Sequence, residues 1–207
     1  MTSAGGKFPR PSKPASWGLL PWGTPPWGVP FTPPPLPEVQ VSLMQGDIHF
    51  TADPKVLVTV LGSCVAVCLW DKLRGFGGMN HFVLPSDRSG EKSTRYGDVA
   101  IDELEAGLMR LGCRISDLQA KVFGGAAVLP FGGGQTVGQN NVQLALDRLR
   151  RDHIRITAQR TGGTLGQQIR FHTRTGEVFV RYIVASTRKK IPPDPRDLAA
   201  GDEFVTE

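Results

Sequence analysis

Two short apolar runs, separated by a Gly-Ser-Cys triplet, constrain this chain more than any other feature. The runs cover residues 56–61 and 65–70, and the triplet is Gly62-Ser63-Cys64. Each run is too brief for a helix and is rich in β-branched residues, which predicts two buried strands joined by a tight turn. A histidine, His81, follows the cysteine by 17 residues within a third strand-like segment, 78–84. The pattern therefore predicts a thiol on a turn and an imidazole on a neighbouring strand.

A thiol beside an imidazole is the pairing that nucleophilic cysteine chemistry uses. The histidine is expected to lower the pKa of the thiol and to move protons, while the turn presents backbone N–H groups to a developing oxyanion. Cys64 and His81 are therefore candidate catalytic residues. The alternative for Cys64 is an inert buried thiol, which is what we predict for Cys68 within the second run and for Cys113 after a helix.

A zinc site made of Cys64, Cys68 and His81 is a further alternative. These three ligands are one short of a structural tetrahedral site, and two cysteines four residues apart on one strand hold their sulfurs in an awkward geometry. We therefore expect neither a metal nor another cofactor. The remaining histidines occupy polar or alternating positions, typical of the surface or of strands. They are His49, His153 and His172.

The composition excludes several classes of protein. The net charge is +5 in 207 residues, but the positive residues are scattered, so we expect no nucleic-acid partner. Three cysteines without disulfide spacing suit free thiols in a reducing compartment. No stretch approaches 18 apolar residues, and no charged leader precedes an apolar run. We therefore expect a cytoplasmic protein that does not insert into a membrane.

The two ends of the chain differ in composition from its middle. Residues 1–37 hold 11 of the 17 prolines and three of the four tryptophans. Proline at this density favours extended chain, so we predict a disordered N-terminal extension. The alternative is a tail whose tryptophans anchor a partner. One compact domain is then expected at 38–190, followed by a proline-rich, polar C-terminal tail at 191–207.

Beyond the first three strands, the apolar spacing predicts two helices and four more strands, which gives a mixed α+β fold with packed β-sheets flanked by helices. The last three strands lie too close together for helical crossovers, so we expect them to be antiparallel. Gly124-Gly125 predicts a bulge or a close backbone approach. Asn140 or Asn141 is the predicted N-cap of the second helix. The predicted elements are a helix at 99–111, a strand at 121–129, the second helix, and strands at 154–158, 169–173 and 178–185.

A series of short blocks runs in order from about residue 45 to 185. They are Leu-Gly-Ser-Cys-Val-Ala-Val at 61–67, Gly-Met-Asn-His at 78–81 with Leu84-Pro85, Arg95-Tyr96, Asp-Val-Ala at 98–100, Lys-Val-Phe-Gly-Gly-Ala at 121–126, Gly-Gln-Asn-Asn-Val at 138–142, and Gly162-Gly163 with Ile-Arg-Phe at 169–171. Together they closely resemble the chemoreceptor glutamine deamidase family (CheD) of bacterial chemotaxis.

The resemblance implies packed β-sheets flanked by helices, as in bacterial toxin deamidases. It implies an amidohydrolase, a protein-glutamine glutaminase, that converts particular glutamines of chemoreceptor cytoplasmic helical domains to glutamate. The family's nucleophile matches Cys64 and its base matches His81. Its third residue, a threonine shortly before the cysteine, matches Thr59, or position 58 in the alternative register. A rival from another class is a non-catalytic regulator that binds a CheC-type phosphatase, as some members do.

Overall fold

Two five-stranded sheets and two helices form three layers in the computed structural model. It describes residues 39–87, 90–127, 136–183 and 203–205, so the prediction for the N-terminal extension lies outside the described residues. The strands are β1 (Gln40–Ser42), β2 (Ile48–Thr51), β3 (Val56–Leu61), β4 (Val65–Asp71), β5 (Phe76–Asn80), β6 (Leu118–Gly124), β7 (Arg155–Thr161), β8 (Gly166–His172), β9 (Val178–Ile183) and β10 (Glu203–Val205), and the helices are α1 (Gly97–Arg110) and α2 (Val137–Arg151).

The strands divide between the sheets in a way that confirms the predicted α+β class. The first sheet has the order β1-β3-β8-β9-β10 and the second has the order β2-β5-β4-β6-β7. Neighbours are antiparallel except for the pairs β1·β3 and β6·β7, which are parallel. The chain crosses from the first sheet to the second directly between β3 and β4, at the Gly-Ser-Cys triplet.

Strand β4 lies at the centre of the second sheet and is buried on both faces. Val67 packs in the layer between this sheet and the helices, whereas Cys68 packs in the layer between the two sheets. A strand covered on both sides needs a continuous apolar run, which is what the sequence supplies at 65–70. Each large side chain buried in this way contributes about 1.5–3 kcal/mol of transfer free energy.

Helix α2 begins earlier than predicted. Its N-cap is Thr136, whose hydroxyl accepts from the N–H of Gln139 at 3.2 Å, while the Gln139 side chain accepts from the N–H of Thr136 at 2.8 Å. This reciprocal capping box satisfies two donors at the start of the helix. The prediction of Asn140 or Asn141 as the N-cap is therefore wrong. Asn141 is fully buried and points into the protein.

The strands also differ from the predictions. Strand β7 is parallel to β6, because α2 serves as the crossover between them, and only β8 and β9 are antiparallel to each other. Strand β5 ends at Asn80, so His81 follows the strand instead of lying within it. Strands β1 and β2 were not predicted. Within the segment expected to be a C-terminal tail, Glu203–Val205 pairs with β9.

Neither described helix combines the length and the apolar character that a membrane span requires.

Candidate active site

The Gly62-Ser63-Cys64 turn is held from behind by the two glycines that end β6. The N–H of Gly125 donates to the carbonyl of Cys64 at 2.8 Å, and the N–H of Ala126 donates to the carbonyl of Gly62, also at 2.8 Å. Both ends of the turn are therefore fixed to the same segment. The thiol of Cys64 lies at a rigid crossing between the sheets.

Gly124 explains why this segment needs glycine. Its φ of 101° lies in the left-handed region, and a Cβ there would overlap the carbonyl oxygen of Cys64. Only a residue without a side chain adopts that φ freely and lets the backbones come so close. The predicted close backbone approach at Gly124-Gly125 is therefore confirmed, and its partner is the cysteine itself.

Asn141 ties the cysteine turn to the segment that follows the histidine. Its side-chain Nδ2 donates to the carbonyl of Ser63 at 3.0 Å and to the carbonyl of Val83 at 2.8 Å. Both amide protons are thus used to join two loops from the first turn of α2. The sequence placed Asn141 in a motif but gave it only a capping role, because nothing local indicates which way a helical asparagine points.

His81 is held by its backbone and faces the layer between the sheets. Its N–H donates to the carbonyl of Asp47 at 3.0 Å, and its carbonyl accepts from the N–H of Gly46 at 2.7 Å. The next residue, Phe82, pairs with Val65 across β4, and both face the helices. Side chains alternate along a strand, so the residues just before these two, His81 and Cys64, both point to the other face of the sheet. There they are diagonal neighbours.

Thr59 supplies the contact that fixes the imidazole ring. Its Oγ1 lies 2.8 Å from Nδ1 of His81 and donates to the carbonyl of Leu43, also at 2.8 Å. A hydroxyl has only one proton to donate. Because Thr59 donates it to the carbonyl of Leu43, the Thr59 oxygen must be the acceptor in its contact with His81, and Nδ1–H is the donor. The unprotonated nitrogen of His81 is then Nε2, which is buried and has no hydrogen-bond partner among the described residues. Position 58 lies on the other face of β3.

Burial favours the neutral form of both Cys64 and His81. It raises the pKa of the Cys64 thiol, an effect that the residue's own N–H and the Arg95 cation only partly offset. Burial likewise lowers the pKa of His81, against smaller opposing effects of a hydrogen bond to the backbone of Leu43 and of the Asp47 charge. The expected lowering of the thiol pKa by the histidine is therefore wrong. The arrangement fits a neutral pair in which the imidazole takes the thiol proton during attack.

The other two cysteines differ from Cys64. Cys68 is enclosed between the sheets, and burial strongly raises the pKa of its thiol. Burial, with Asp71 nearby, raises the pKa of Cys113 to about 11. All three cysteines are free, and the predictions that Cys68 and Cys113 are packing residues are confirmed. Within the described ranges, no group of three or more histidine, cysteine or carboxylate side chains is arranged to hold a metal ion.

A cavity of about 550 Å³ opens beside the glycine segment behind the cysteine turn. Gly125 lines it, and so do Thr136 and Gln139 from the start of α2 and Gly162-Gly163 from the loop after β7. The N–H of Gly162 donates to the carbonyl of Gly124 at 2.9 Å, so this loop is joined to the same segment.

Comparison with known proteins places these residues in a family. Residues 83–182 match the family model described as CheD chemotactic sensory transduction. A relative from Rhodospirillum rubrum is 56% identical over 142 residues, which is 68% of this chain and 81% of the relative. The chain belongs to the CheD family. This CheD-family protein is also 46% identical to a relative from Anaeromyxobacter dehalogenans, over 70% of this chain and 85% of the relative.

A third CheD relative, from Caulobacter vibrioides, is 39% identical over 79% of this chain and 91% of its own length. Each of these relatives carries the name probable chemoreceptor glutamine deamidase. Among solved structures, the hypothetical protein YfiH of Bacillus licheniformis aligns with a TM-score of 0.37 at 17% identity, over 55% of this chain and 50% of that chain.

Proposed function

We propose that this CheD-family protein is a protein-glutamine deamidase of chemoreceptors, with Cys64 as nucleophile, His81 as general base and acid, and Thr59 as the residue that orients His81. The names of the relatives support the reaction, and the arrangement of the three side chains supports the roles. The receptor helical domains are the proposed substrate, and the cytoplasm is the proposed location.

The hydrogen bonds of Thr59 carry this proposal. With its proton given to Leu43, Thr59 accepts from Nδ1–H of His81 and leaves Nε2 with a free lone pair on the face that it shares with Cys64. A base with its second nitrogen already bound cannot adopt the wrong tautomer. This is the role that the third member of a catalytic triad plays.

The first half of the reaction forms a thioester. Sγ of Cys64 bonds to the side-chain carbonyl carbon of the substrate glutamine while Nε2 of His81 takes the thiol proton, and the carbonyl π electrons move to oxygen. The resulting imidazolium keeps its Nδ1–H bond to Thr59. When the intermediate collapses, His81 returns the proton to the amide nitrogen, the C–N bond breaks, and ammonia leaves.

The second half is hydrolysis. His81 takes a proton from a water molecule as its oxygen attacks the thioester carbon, and the C–S bond then breaks. The carboxyl group remains on the substrate as glutamate, and the proton returns from His81 to the thiol. Each step uses His81 alternately as base and acid, so no cofactor is needed to balance the reaction.

Recognition is proposed to require a folded receptor helix. A free glutamine offers little binding energy away from the reacting amide, and such remote contacts are needed to orient it. The cavity beside Gly125 and Gly162 gives room for side chains from neighbouring turns of a helix. We therefore expect receptor domains to be deamidated and free glutamine to react negligibly.

Mass spectrometry of a purified receptor cytoplasmic domain tests the proposal. Incubation with the wild-type protein should convert chosen glutamines to glutamate, seen as the mass change of replacing an amide NH₂ by OH. His81→Gln should lower kcat by a factor of at least about 10². An inactive wild-type protein would refute the reaction, and a fully active His81→Gln variant would refute the base.

Binding to a CheC-type phosphatase, which the family resemblance implies for some members, stays a prediction. Co-elution of the two proteins in gel filtration would establish the complex. Binding by an inactive Cys64→Ser variant would show that it does not need the reactive thiol. If the wild-type protein deamidates receptors and does not bind the phosphatase, the regulatory alternative is wrong for this chain.

A further inference from the structure

Gln45 lies over the reactive thiol, although the sequence assigned it no role. Its side-chain Nε2 is 3.9 Å from Sγ of Cys64, within the range of a hydrogen bond to sulfur. Gln45 is itself exposed, so its amide stands at the mouth of the site while the thiol lies beneath it. A substrate amide bound at the sulfur would therefore lie close to this side chain.

The segment that carries Gln45 is the one that positions the histidine. On one side of Gln45, the carbonyl of Leu43 accepts the proton of Thr59 at 2.8 Å. On the other side, the N–H of Gly46 donates to the carbonyl of His81 at 2.7 Å, and Asp47 accepts from the N–H of Met44, also at 2.7 Å. The backbone at Gln45 is therefore fixed relative to the base and, through it, to the reacting atoms.

The distance suits a donor to the oxyanion. When the sulfur attacks a carbonyl carbon, the carbonyl oxygen comes to lie between the sulfur and the Gln45 amide. A donor about 4 Å from the sulfur can then be about 3 Å from that oxygen. Burial raises the pKa of the Cys64 thiol, and a hydrogen bond from the residue's own backbone N–H partly offsets that rise, so this N–H is a second donor near the sulfur. Two N–H donors thus converge on the place where negative charge would develop.

We infer that Gln45 is a further catalytic residue, the side-chain donor of the oxyanion hole, and that the backbone N–H of Cys64 is the second donor. This inference rests on the proposed function, because an oxyanion forms only if Cys64 attacks a carbonyl. A neutral amide is neither a base nor a nucleophile. Its contribution is a fixed N–H dipole that strengthens as the carbonyl oxygen becomes charged.

Three reactions of the full-length protein test the inference. Gln45→Met keeps the length of the side chain and removes its donors, and Gln45→Glu replaces the donors with a negative charge. Gln40→Met is the matched control, because Gln40 is exposed on β1 and pairs with Val56 at the end of β3 far from the cysteine. The reactions are receptor deamidation, acylation by p-nitrophenyl acetate, and alkylation by iodoacetamide.

Gln45→Met should lower kcat for deamidation and the rate of acylation by about 10²-fold, the usual effect of losing one oxyanion donor, with KM little changed. Gln45→Glu should be slower still. In Gln45→Met, alkylation should slow far less than acylation, because displacement at a CH₂ carbon forms no oxyanion and loses only the weak N–H contact to sulfur. In Gln45→Glu, alkylation should slow as well, because a carboxylate beside the sulfur disfavours the thiolate. The Gln40→Met control should match the wild type in all three reactions.

Two results would overturn the inference. One is a Gln45→Met variant as fast as the wild type in acylation, and the other is an equal fall in acylation and alkylation, which would assign Gln45 to the thiol itself. Failure of the proposed function looks different. In that case the wild-type protein would leave the receptor unchanged, while acylation by the ester would still report on Gln45.

Discussion

The layer between the two sheets has two different ends. The open end holds Cys64 and His81, the proposed reactive residues, and the closed end is packed around Trp70. Cys64 and Trp70 lie on the same face of one chain segment, about 20 Å apart at the rise of a strand. At the Trp70 end, the indole N–H donates to the carbonyl of Arg174 at 3.2 Å, and the β8–β9 turn packs on the ring at Gly176. At the Cys64 end, the polar side chains face one another.

The two ends differ in whether their polar groups have unused hydrogen-bonding capacity. The Trp70 indole has one donor, and Arg174 uses it. At the other end, Nε2 of His81 is buried without a partner among the described residues, which is a costly state for a polar atom. An Nε2 lone pair without a hydrogen-bond partner is what the proposed base needs in order to accept the thiol proton. The same apolar layer therefore stabilises the fold at one end and holds His81, the proposed base, at the other.

Replacing each of the two intersheet cysteines tests this division most strongly. Cys64→Ala removes the bond-forming atom, so deamidation should fall by at least about 10⁴-fold while the melting temperature changes little. Cys68→Ala removes a sulfur that is fully buried between the sheets, and it should cost about 1 kcal/mol of unfolding free energy with normal kcat. Receptor mass spectrometry and thermal unfolding give the two readouts.

The opposite pattern would refute the assignment. A folded Cys68→Ala variant without activity, together with an active Cys64→Ala variant, would move the nucleophile four residues along the chain and would place the chemistry in the closed part of the layer.

Thr59→Val tests whether the tautomer of His81 matters. Valine keeps the shape of the side chain and loses the oxygen that accepts from Nδ1–H, so kcat should fall about 10–100-fold, as for other residues that orient a reactive histidine. Thr59→Ser restores the oxygen and should recover most of the activity. If both variants were equally slow, the methyl packing of Thr59 would be the cause, and the tautomer argument would fail.

Local patterns in the sequence predict the groups that react. A cysteine between two strand-like runs and a histidine in a third are visible without a structure, because strands and turns have their own composition. The glycine pair that holds the cysteine is visible for the same reason. The sheet that each strand joins is not visible in this way. The antiparallel prediction failed at β7, because whether a short connection turns back or changes sheets depends on packing across the whole domain.

Residues that act across the fold were missed for a related reason. Gln45 reaches Cys64 across 19 positions, and Asn141 reaches Ser63 across 78. Asn141 was interpreted as a helix cap because asparagine is common there, and the capping box of Thr136 and Gln139 was overlooked. Side-chain contacts at such separations follow from the three-dimensional arrangement of elements, which local propensity does not encode.

Gly176→Ala tests the closed end of the layer. The φ at Gly176 is 76°, and an added Cβ would overlap the ring of Trp70, so alanine should cost about 1–3 kcal/mol with kcat unchanged. Gly112→Ala is the matched control, because its φ is 96° with no atom within 4 Å of an added Cβ. The excess loss at Gly176 measures the packing on Trp70. A large fall in kcat in Gly176→Ala would show that the closed end also affects catalysis, and the division between the two ends would then be wrong.

The smallest expected effect is a pH dependence confined to the open end. Burial lowers the pKa of His81 below its ordinary 6.5, so the folded state binds this proton less readily than the unfolded chain. The contribution of His81 to stability should therefore decrease as the pH falls below about 6.5, and His81→Gln should remove that part of the pH dependence. The acid limb of kcat/KM should likewise have its midpoint below 6.5, because His81 must be neutral to accept the thiol proton.

The thiol should show the complementary behaviour. Burial raises the pKa of Cys64 above its ordinary 9.0, so its alkylation rate should keep rising with pH through neutrality and beyond that value. Gly176→Ala should leave both pH profiles in place, because that turn packs at the Trp70 end of the layer. An alkylation rate that stays constant between about pH 5 and 8 would mean a thiolate–imidazolium pair at rest. The open end would then hold a preformed charge, and the reaction would begin without the proton transfer to Nε2.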